Sequence, residues 1–232
     1  MKIIIVGGGW SGCAAAIAAR KCGATVELHE RTDMLLGTGL VGGIMRNNGR
    51  FTATEEAIAL GGGDLFNITD QCARHRNINF PGHKHANLYD IATTPMTVTR
   101  YLESLGIKIH YQSRICEVAM SDRTIKSISG AKGDSFEGDV FIDTTGTAGP
   151  MKNCIRHGNG CAMCILRCPS FGGRVSLTGL TGVEELQGRK DNGQIGAMSG
   201  SCKIYKESLS PEIVTELESK GVAVIPVPKL LI

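Results

Sequence analysis

Two sets of residues in this chain have types and spacing suited to chemistry. The first is the run Gly7-Gly8-Gly9-Trp10-Ser11-Gly12, with an acid, Glu30, placed 23 residues after Gly7. The run fits G-x-G-x-x-G. In that pattern the first glycine permits a tight turn, the second lets backbone approach a pyrophosphate, and the third packs a helix closely on a strand. A carboxylate at the position of Glu30 accepts hydrogen bonds from ribose hydroxyls and repels a 2′-phosphate. The chemistry implied is dinucleotide binding, with a plain ribose in place of its phosphorylated form.

The second set is Cys154, Cys161, Cys164 and Cys168, the last followed by Pro169. Their spacing is C-x6-C-x2-C-x3-C-P. Ferredoxin-type iron–sulfur loops run C-x2-C-x2-C-x3-C-P, so the last three positions agree and Cys154 is displaced upstream. Gly158 and Gly160 suit a loop whose N–H groups point at sulfides. A [4Fe-4S] cluster is the first reading. A redox dithiol at Cys161 and Cys164 needs only one C-x-x-C, zinc favours two such knuckles where one is present, and buried packing thiols need none. Cys13, Cys22, Cys72, Cys116 and Cys202 show no ligand spacing and read as packing.

The elements that must position the glycine run are plain. Lys2–Val6 is a short apolar run rich in β-branched residues, as in a buried parallel strand. Cys13–Arg20 is alanine-rich and helical by propensity, and Thr25–Glu30 reads as a second strand ending in the acid. Residues 32–94 hold little periodicity. There Gly61-Gly62-Gly63 and Asn77 to Asn87 look like loops, with a short helix over Thr54–Leu60. His75, His83 and His85 alternate with Arg74, Arg76 and Lys84, which reads as a solvated or substrate-facing run more than as a metal site. Thr97–Leu105 is an amphipathic helix closed by Gly106. Strands follow at 107–111, 114–120, 124–129 and 135–142, then a strand-like Arg174–Thr178 and a helix opened by Ser210-Pro211.

Composition bounds the partners. The chain has 232 residues, 42% hydrophobic and 20% charged, and 25 basic against 22 acidic residues give a net charge of +3. That balance gives no electrostatic reason to expect nucleic acid or an anionic membrane as partner. No apolar run reaches the ~18 residues of a membrane span. Nine cysteines without a signal-like N-terminus suggest a reducing, cytoplasmic setting, where clustered thiols bind metal or do redox work.

The glycine run is similar to the GGGxSG of FAD-dependent oxidoreductases in the glutathione-reductase-like superfamily, with a closer likeness to HdrA-like and other anaerobe flavoproteins. Glu30-Arg31, followed by Gly37-Thr38-Gly39 and Gly42-Gly43, resembles that family's glycine-rich segment after the ribose acid. Phe141-Ile142-Asp143-Thr144-Thr145-Gly146 resembles its later strand ending in IDATG, with Thr144 in the alanine's place. The resemblance covers residues 1–150. It implies an α/β, Rossmann-like FAD-binding domain with a parallel sheet and a three-stranded excursion. It also implies FAD held by Gly7, Gly9, Trp10, Ser11, Gly12, Glu30, Arg31, Gly37, Thr38, Gly39, Gly42, Gly43, Ile115, Thr145 and Gly146.

Residues 151–232 are expected to form a cysteine-cluster and substrate or interface region, itself incomplete. The flavoproteins resembled are longer, so a partner subunit completing the FAD and substrate site is expected, the chain being a split subunit, a processed half or a fragment. The function expected is an oxidoreductase of the dehydrogenase type, passing electrons from a small-molecule substrate through flavin to a cluster or partner. The alternatives are flavin-linked thiol–disulfide exchange and a non-catalytic electron-transfer subunit. No catalytic acid or base is identifiable.

Overall fold

The computed structural model describes residues 1–40, 44–46, 54–80, 83–146, 174–184 and 210–220. Contacts divide the chain into one compact unit over Met1–Ser201 and a second over Cys202–Ile232.

In the first unit, β1 (Lys2–Val6) leads through the glycine run into α1 (Trp10–Lys21) and back to β2 (Thr25–His29). Those two strands pair in parallel with β6 (Lys108–His110) and β10 (Val140–Asp143), in the order β10-β1-β2-β6. This is the expected α/β fold with a parallel sheet. β1 is central and buried on both faces, so its residues alternate between two cores. Ile3 and Ile5 join Val26, Leu28, Cys13, Ala16 and Ile17 under α1, while Ile4 and Val6 join Ile115, Ile128 and Leu177 on the other face. The continuous apolar run in the sequence is the mark of that two-sided burial.

The second face is covered by an antiparallel sheet of β7 (Ile115–Ser121), β8 (Thr124–Gly130) and β9 (Ser135–Glu137). The expected strand over 135–142 is split. Gly138 lies against Ile4, where an added Cβ would come 2.6 Å from its Cγ1, and Asp139 N then bonds Lys2 O as the chain joins β1. The 107–111 strand belongs to the main sheet, so the excursion begins at Ile115.

The 32–94 segment departs most from expectation. Residues 54–57 are helical and run into a π-helical turn, Ile58–Gly62, before α2 (Asp64–Gln71). The expected loop over 77–87 is a hairpin of β4 (Ala73–Phe80) and β5 (His83–Tyr89), extended by β3 (Ile44–Arg46). Register shifts interrupt this hairpin, and Asn77 and His85 take φ of 51° and 55°. Those irregularities erase the strict alternation by which a strand is recognised. α3 (Thr94–Ser104) starts three residues earlier than expected, with Pro95 in its first turn. Arg174–Thr178 is not a strand. Ser176 caps the one-turn α4 (Leu177–Leu180), its Oγ accepting from Gly179 N at 3.0 Å. In the second unit, α5 (Pro211–Lys220) forms as the Ser-Pro start predicts.

The tightest point is where the glycine run turns. Gly7 has φ of +107°, and a Cβ on Gly12 would lie 1.8 Å from Gly7 O, a backbone atom that cannot move aside. Gly12→Ala should therefore separate α1 from β1 and cost about 2–3 kcal/mol, the upper range for an overpacked core site. Urea denaturation measures this, and a loss under about 0.5 kcal/mol, the size of a surface change, would contradict it.

Candidate dinucleotide site

The turn between β1 and α1 is held from three sides. Gly7 N donates to His29 O at 2.8 Å, which seats the turn on β2. Thr144 Oγ1, at the end of β10, lies 2.7 Å from Gly7 O and 2.9 Å from Val6 O. The threonine that stands for the usual alanine thus gives its single proton to a bifurcated bond with two loop carbonyls. Glu30 accepts from Gly8 N and from Thr32 N, both at 2.8 Å. A carboxylate has about four acceptor positions, so two remain for other donors.

Over this turn the N-terminus of α1 presents its first N–H groups, which have no intrahelical acceptor. Gly9 caps the helix with no side-chain bond, no acid lies in the first turn, and Arg20 and Lys21 complement the dipole at the far end. Such a terminus attracts phosphate. Cys13, one turn in, is fully buried with its thiol 3.4 Å from Gly8 O. Burial pushes that thiol up to about 12, so it is a packing residue and not a thiolate. Cys72 and Cys116 are half-buried, but Cys22 is exposed, since it caps the solvent end of α1, and is no packing residue.

A second layer lies beside the turn. Leu36, fully buried with φ of 76°, donates its N–H to Gly8 O at 2.8 Å and leads into a 3₁₀ turn, Gly37–Leu40. Gly37 lies against Gly9, where an added Cβ would stand 3.4 Å from Gly9 Cα. The Trp10 ring packs 5.4 Å from Phe66, and its Nε1 donates to Tyr89 Oη at 3.0 Å. Tyr89 Oη in turn donates to Gly39 O. Burial raises the Tyr89 phenol to about 12, so it stays a neutral donor.

The expected residues thus separate. Gly7, Gly9, Ser11, Gly12, Glu30 and Gly37 lie at the turn, while Gly39 packs against the Trp10 indole, which points to the 32–94 segment. Thr145 is fixed by Asp143, whose Oδ1 accepts from its N at 2.9 Å and Oγ1 at 2.7 Å. Burial disfavours charge on Asp143, but bonds from Thr178 and Thr145 outweigh it and hold the carboxyl below its usual range. Gly146 follows with φ of +80°. Ile115 is buried in the second core. Arg31 lines a cavity of about 400 Å³ at the strand ends with His110, Ser113, Arg114, Lys132 and Asp134. Gly42 and Gly43, and Cys154, Cys161, Cys164, Cys168 and Cys202, lie outside the described residues. His75 and His85 are exposed on the hairpin, in keeping with a solvated run.

The chain matches the family profile described as GIDA, glucose inhibited division protein A, over residues 2–226. It belongs to that family. Similar solved structures include GidA from Aquifex aeolicus, at 18% identity and a TM-score of 0.46 over 61% of this chain and 24% of that one. Glycine oxidase from Bacillus cereus is 11% identical with a TM-score of 0.44, covering 61% and 54%. A Diels-Alderase of pyrroindomycin biosynthesis is 16% identical with a TM-score of 0.48, covering 66% and 34%. The chain therefore spans between 24% and 54% of the length of these three structures. No curated protein matches it. Among the described residues no helix is long and apolar enough to cross a membrane.

Sequence reading missed one cluster next to this family site. Glu27, His29 and His110 lie side by side on the sheet face beneath β7–β9, with their ligand atoms within 4.8 Å of one another. Only strand register brings them together: His29 pairs with His110, and Glu27 with Lys108. The imidazoles stack at 4.4 Å with planes 2° apart. Imidazole binds a metal in its ring plane, at about 2.0–2.1 Å for zinc, and two parallel stacked planes share no such point. Glu27 and His110 instead form a hydrogen-bonded pair, and His29 stacks on the His110 imidazole. Glu27 bonds His110 Nε2 and Lys2 Nζ, each at 2.8 Å, and these contacts overcome burial and keep its carboxyl ionised below its usual range.

His29 is 1% exposed, with Nδ1 2.9 Å from Ser113 Oγ and Nε2 without a partner among the described residues. Burial, then the neighbouring His110, lowers its pKa from 6.5 to about 4. The unfolded chain therefore takes up this proton first. Stability from His29 is full above pH 6.5 and falls as pH drops to about 4, by up to about 3 kcal/mol. His29→Phe should flatten that limb of a stability–pH profile, whereas an unchanged limb would refute the assignment.

Proposed function

We propose that this chain binds FAD at the Gly7–Gly12 turn and is part of an FAD-dependent oxidoreductase. The observation that carries the reading is Gly9. Each other described glycine either has a positive φ or would press a Cβ against a neighbour within 4 Å. Gly9 has φ of −69°, which any residue adopts, and among the described residues, its chain neighbours aside, no atom lies within 4 Å of its would-be Cβ. Nothing among the described residues asks for glycine there. A pyrophosphate seated against the backbone does.

The residues present suit the cofactor. The free N–H groups of α1 would face its phosphates, and Glu30 has acceptor positions left for the ribose hydroxyls. Arg31, next to that acid in sequence, and Ser113, whose N–H donates to the Glu30 carbonyl, line the cavity at the strand ends. When bound, the flavin supplies the hydride and electron chemistry, and the chain supplies binding and orientation. Thr144 and Gly7 hold the turn rigid, and buried Cys13 keeps the helix start against it without taking part.

The finer reading follows the sequence. The likeness to HdrA-like flavoproteins and the spacing of Cys154, Cys161, Cys164 and Cys168 support electron passage from a small-molecule substrate through flavin to a [4Fe-4S] cluster. Further polypeptide, from this chain or a partner subunit, would complete the flavin side. Anaerobic purification tests the cluster. Iron with acid-labile sulfide is expected, and iron-free protein with two titratable thiols would favour exchange at Cys161 and Cys164.

Gly9→Ala tests the cofactor. Its apo melting temperature should match the parent within about 2 °C, since the methyl meets none of the described residues. FAD affinity by flavin-fluorescence titration should fall at least about tenfold, a loss of about 1.4 kcal/mol. A parent that binds no FAD, or a variant that binds it equally well, would overturn the reading.

A further inference from the structure

The site has a feature that dinucleotide binding does not itself require. Trp10, the only tryptophan of the chain, stands inside the glycine run, and its indole turns away from the turn toward the 32–94 insertion. Its Nε1 donates to Tyr89 Oη, and that hydroxyl passes its own proton to Gly39 O. Tyr89 ends β5, so this relay joins three segments distant in sequence: the phosphate turn, the Gly37–Leu40 turn and the hairpin sheet.

The fit is close. A Cβ on Gly39 would stand 2.4 Å from Trp10 Cδ1, 2.5 Å from Nε1 and 2.8 Å from Tyr89 Oη. Gly39 is thus glycine for the indole's sake. The second ring contact of the indole, with Tyr89, is tilted at 6.0 Å, and Phe66 closes the other side at 5.4 Å. Held this way, the 3₁₀ turn keeps Gly37 against Gly9 and keeps Leu36, in its left-handed conformation, bonded to Gly8 O. The left-handed backbone at Leu36 is unfavourable for a residue that carries a Cβ, so an outside tie helps the turn to stay.

We propose that Trp10 and Tyr89 are positioning residues, a latch that holds the Gly37–Leu40 turn beside the phosphate turn and so sets how long a bound dinucleotide stays. The inference rests on the FAD reading above. Neither side chain needs to touch the cofactor. The latch acts through Gly39 and Gly37, and it links the hairpin sheet to the occupancy of the site.

Tyr89→Phe removes one oxygen and keeps the ring. It leaves Trp10 Nε1 and Gly39 O without their partner, a loss of about 1 kcal/mol in what holds the turn. The expected result is FAD binding weakened about fivefold, from faster release. Hydrogen exchange in the apo protein should quicken at the Gly37–Leu40 amides while exchange in β1 and β2 stays unchanged. Trp10→Phe keeps the stacking and loses the donor, so it should weaken binding similarly, and the double variant should be little worse than either single one.

Unchanged FAD affinity and exchange in Tyr89→Phe would overturn the latch. So would a loss of affinity matched by faster exchange throughout the sheet, because the tyrosine would then act through general stability. Failure of the parent chain to bind FAD would refute the cofactor reading and this inference with it. Parent binding with an indifferent Tyr89→Phe refutes the latch alone.

Discussion

Everything near the candidate site depends on one close backbone crossing. Gly12 brings the first turn of α1 so near Gly7 that a single methyl there would stand 1.8 Å from the Gly7 carbonyl. Because the helix starts that close, its free N–H groups lie directly over the end of β1. The same crossing lets Thr144, arriving on β10, bond the carbonyls of Val6 and Gly7. Glu30 then ties the turn to the end of β2 through Gly8 N. Four backbone segments meet where ordinary side chains would have kept them apart. The glycines are there for close packing and for a face open to a ligand.

The two faces of the parallel sheet do different work. Under α1 the core is mainly apolar, with Val26, Leu28, Val98 and Leu102 in one cluster with the small side chains of the helix. Under β7–β9 the apolar cluster of Ile4, Val6, Ile115 and Ile128 gives way, across β2 and β6, to Glu27, His29 and His110. Phe136 packs edge-on to both imidazoles, which closes this polar patch from above. The sheet therefore carries a pH-sensitive element one residue before the acid that holds the phosphate turn. Lys2 balances Glu27, and the burden of acid falls on His29.

How much of this the sequence revealed follows from the range of each interaction. The first thirty residues were legible because strand, turn, helix and acid are all local patterns. The strands over 115–121 and 124–130 were legible because they are short, alternating and joined by a tight turn, whereas the break at Gly138, set by its contact with Ile4, was not. The hairpin 73–89 was hidden by left-handed residues at Asn77 and His85 and by shifted register. The one-turn helix after Ser176 was hidden because Asp143, 35 residues before Thr178, supplies the acceptor for Thr178 N. The His29–His110 stack and the Trp10–Tyr89–Gly39 relay depend on pairing across 81 and 79 positions, which composition and spacing do not encode.

The central claim is that the open glycine face at Gly9 receives a dinucleotide. Hydrogen exchange of the parent chain, with and without saturating FAD, tests it most directly. The account predicts protection concentrated at the amides of 8–13, 30–32 and 144–146, with the β7–β9 sheet unaffected. Protection absent from 8–13, or found chiefly on the β7–β9 sheet, would contradict it.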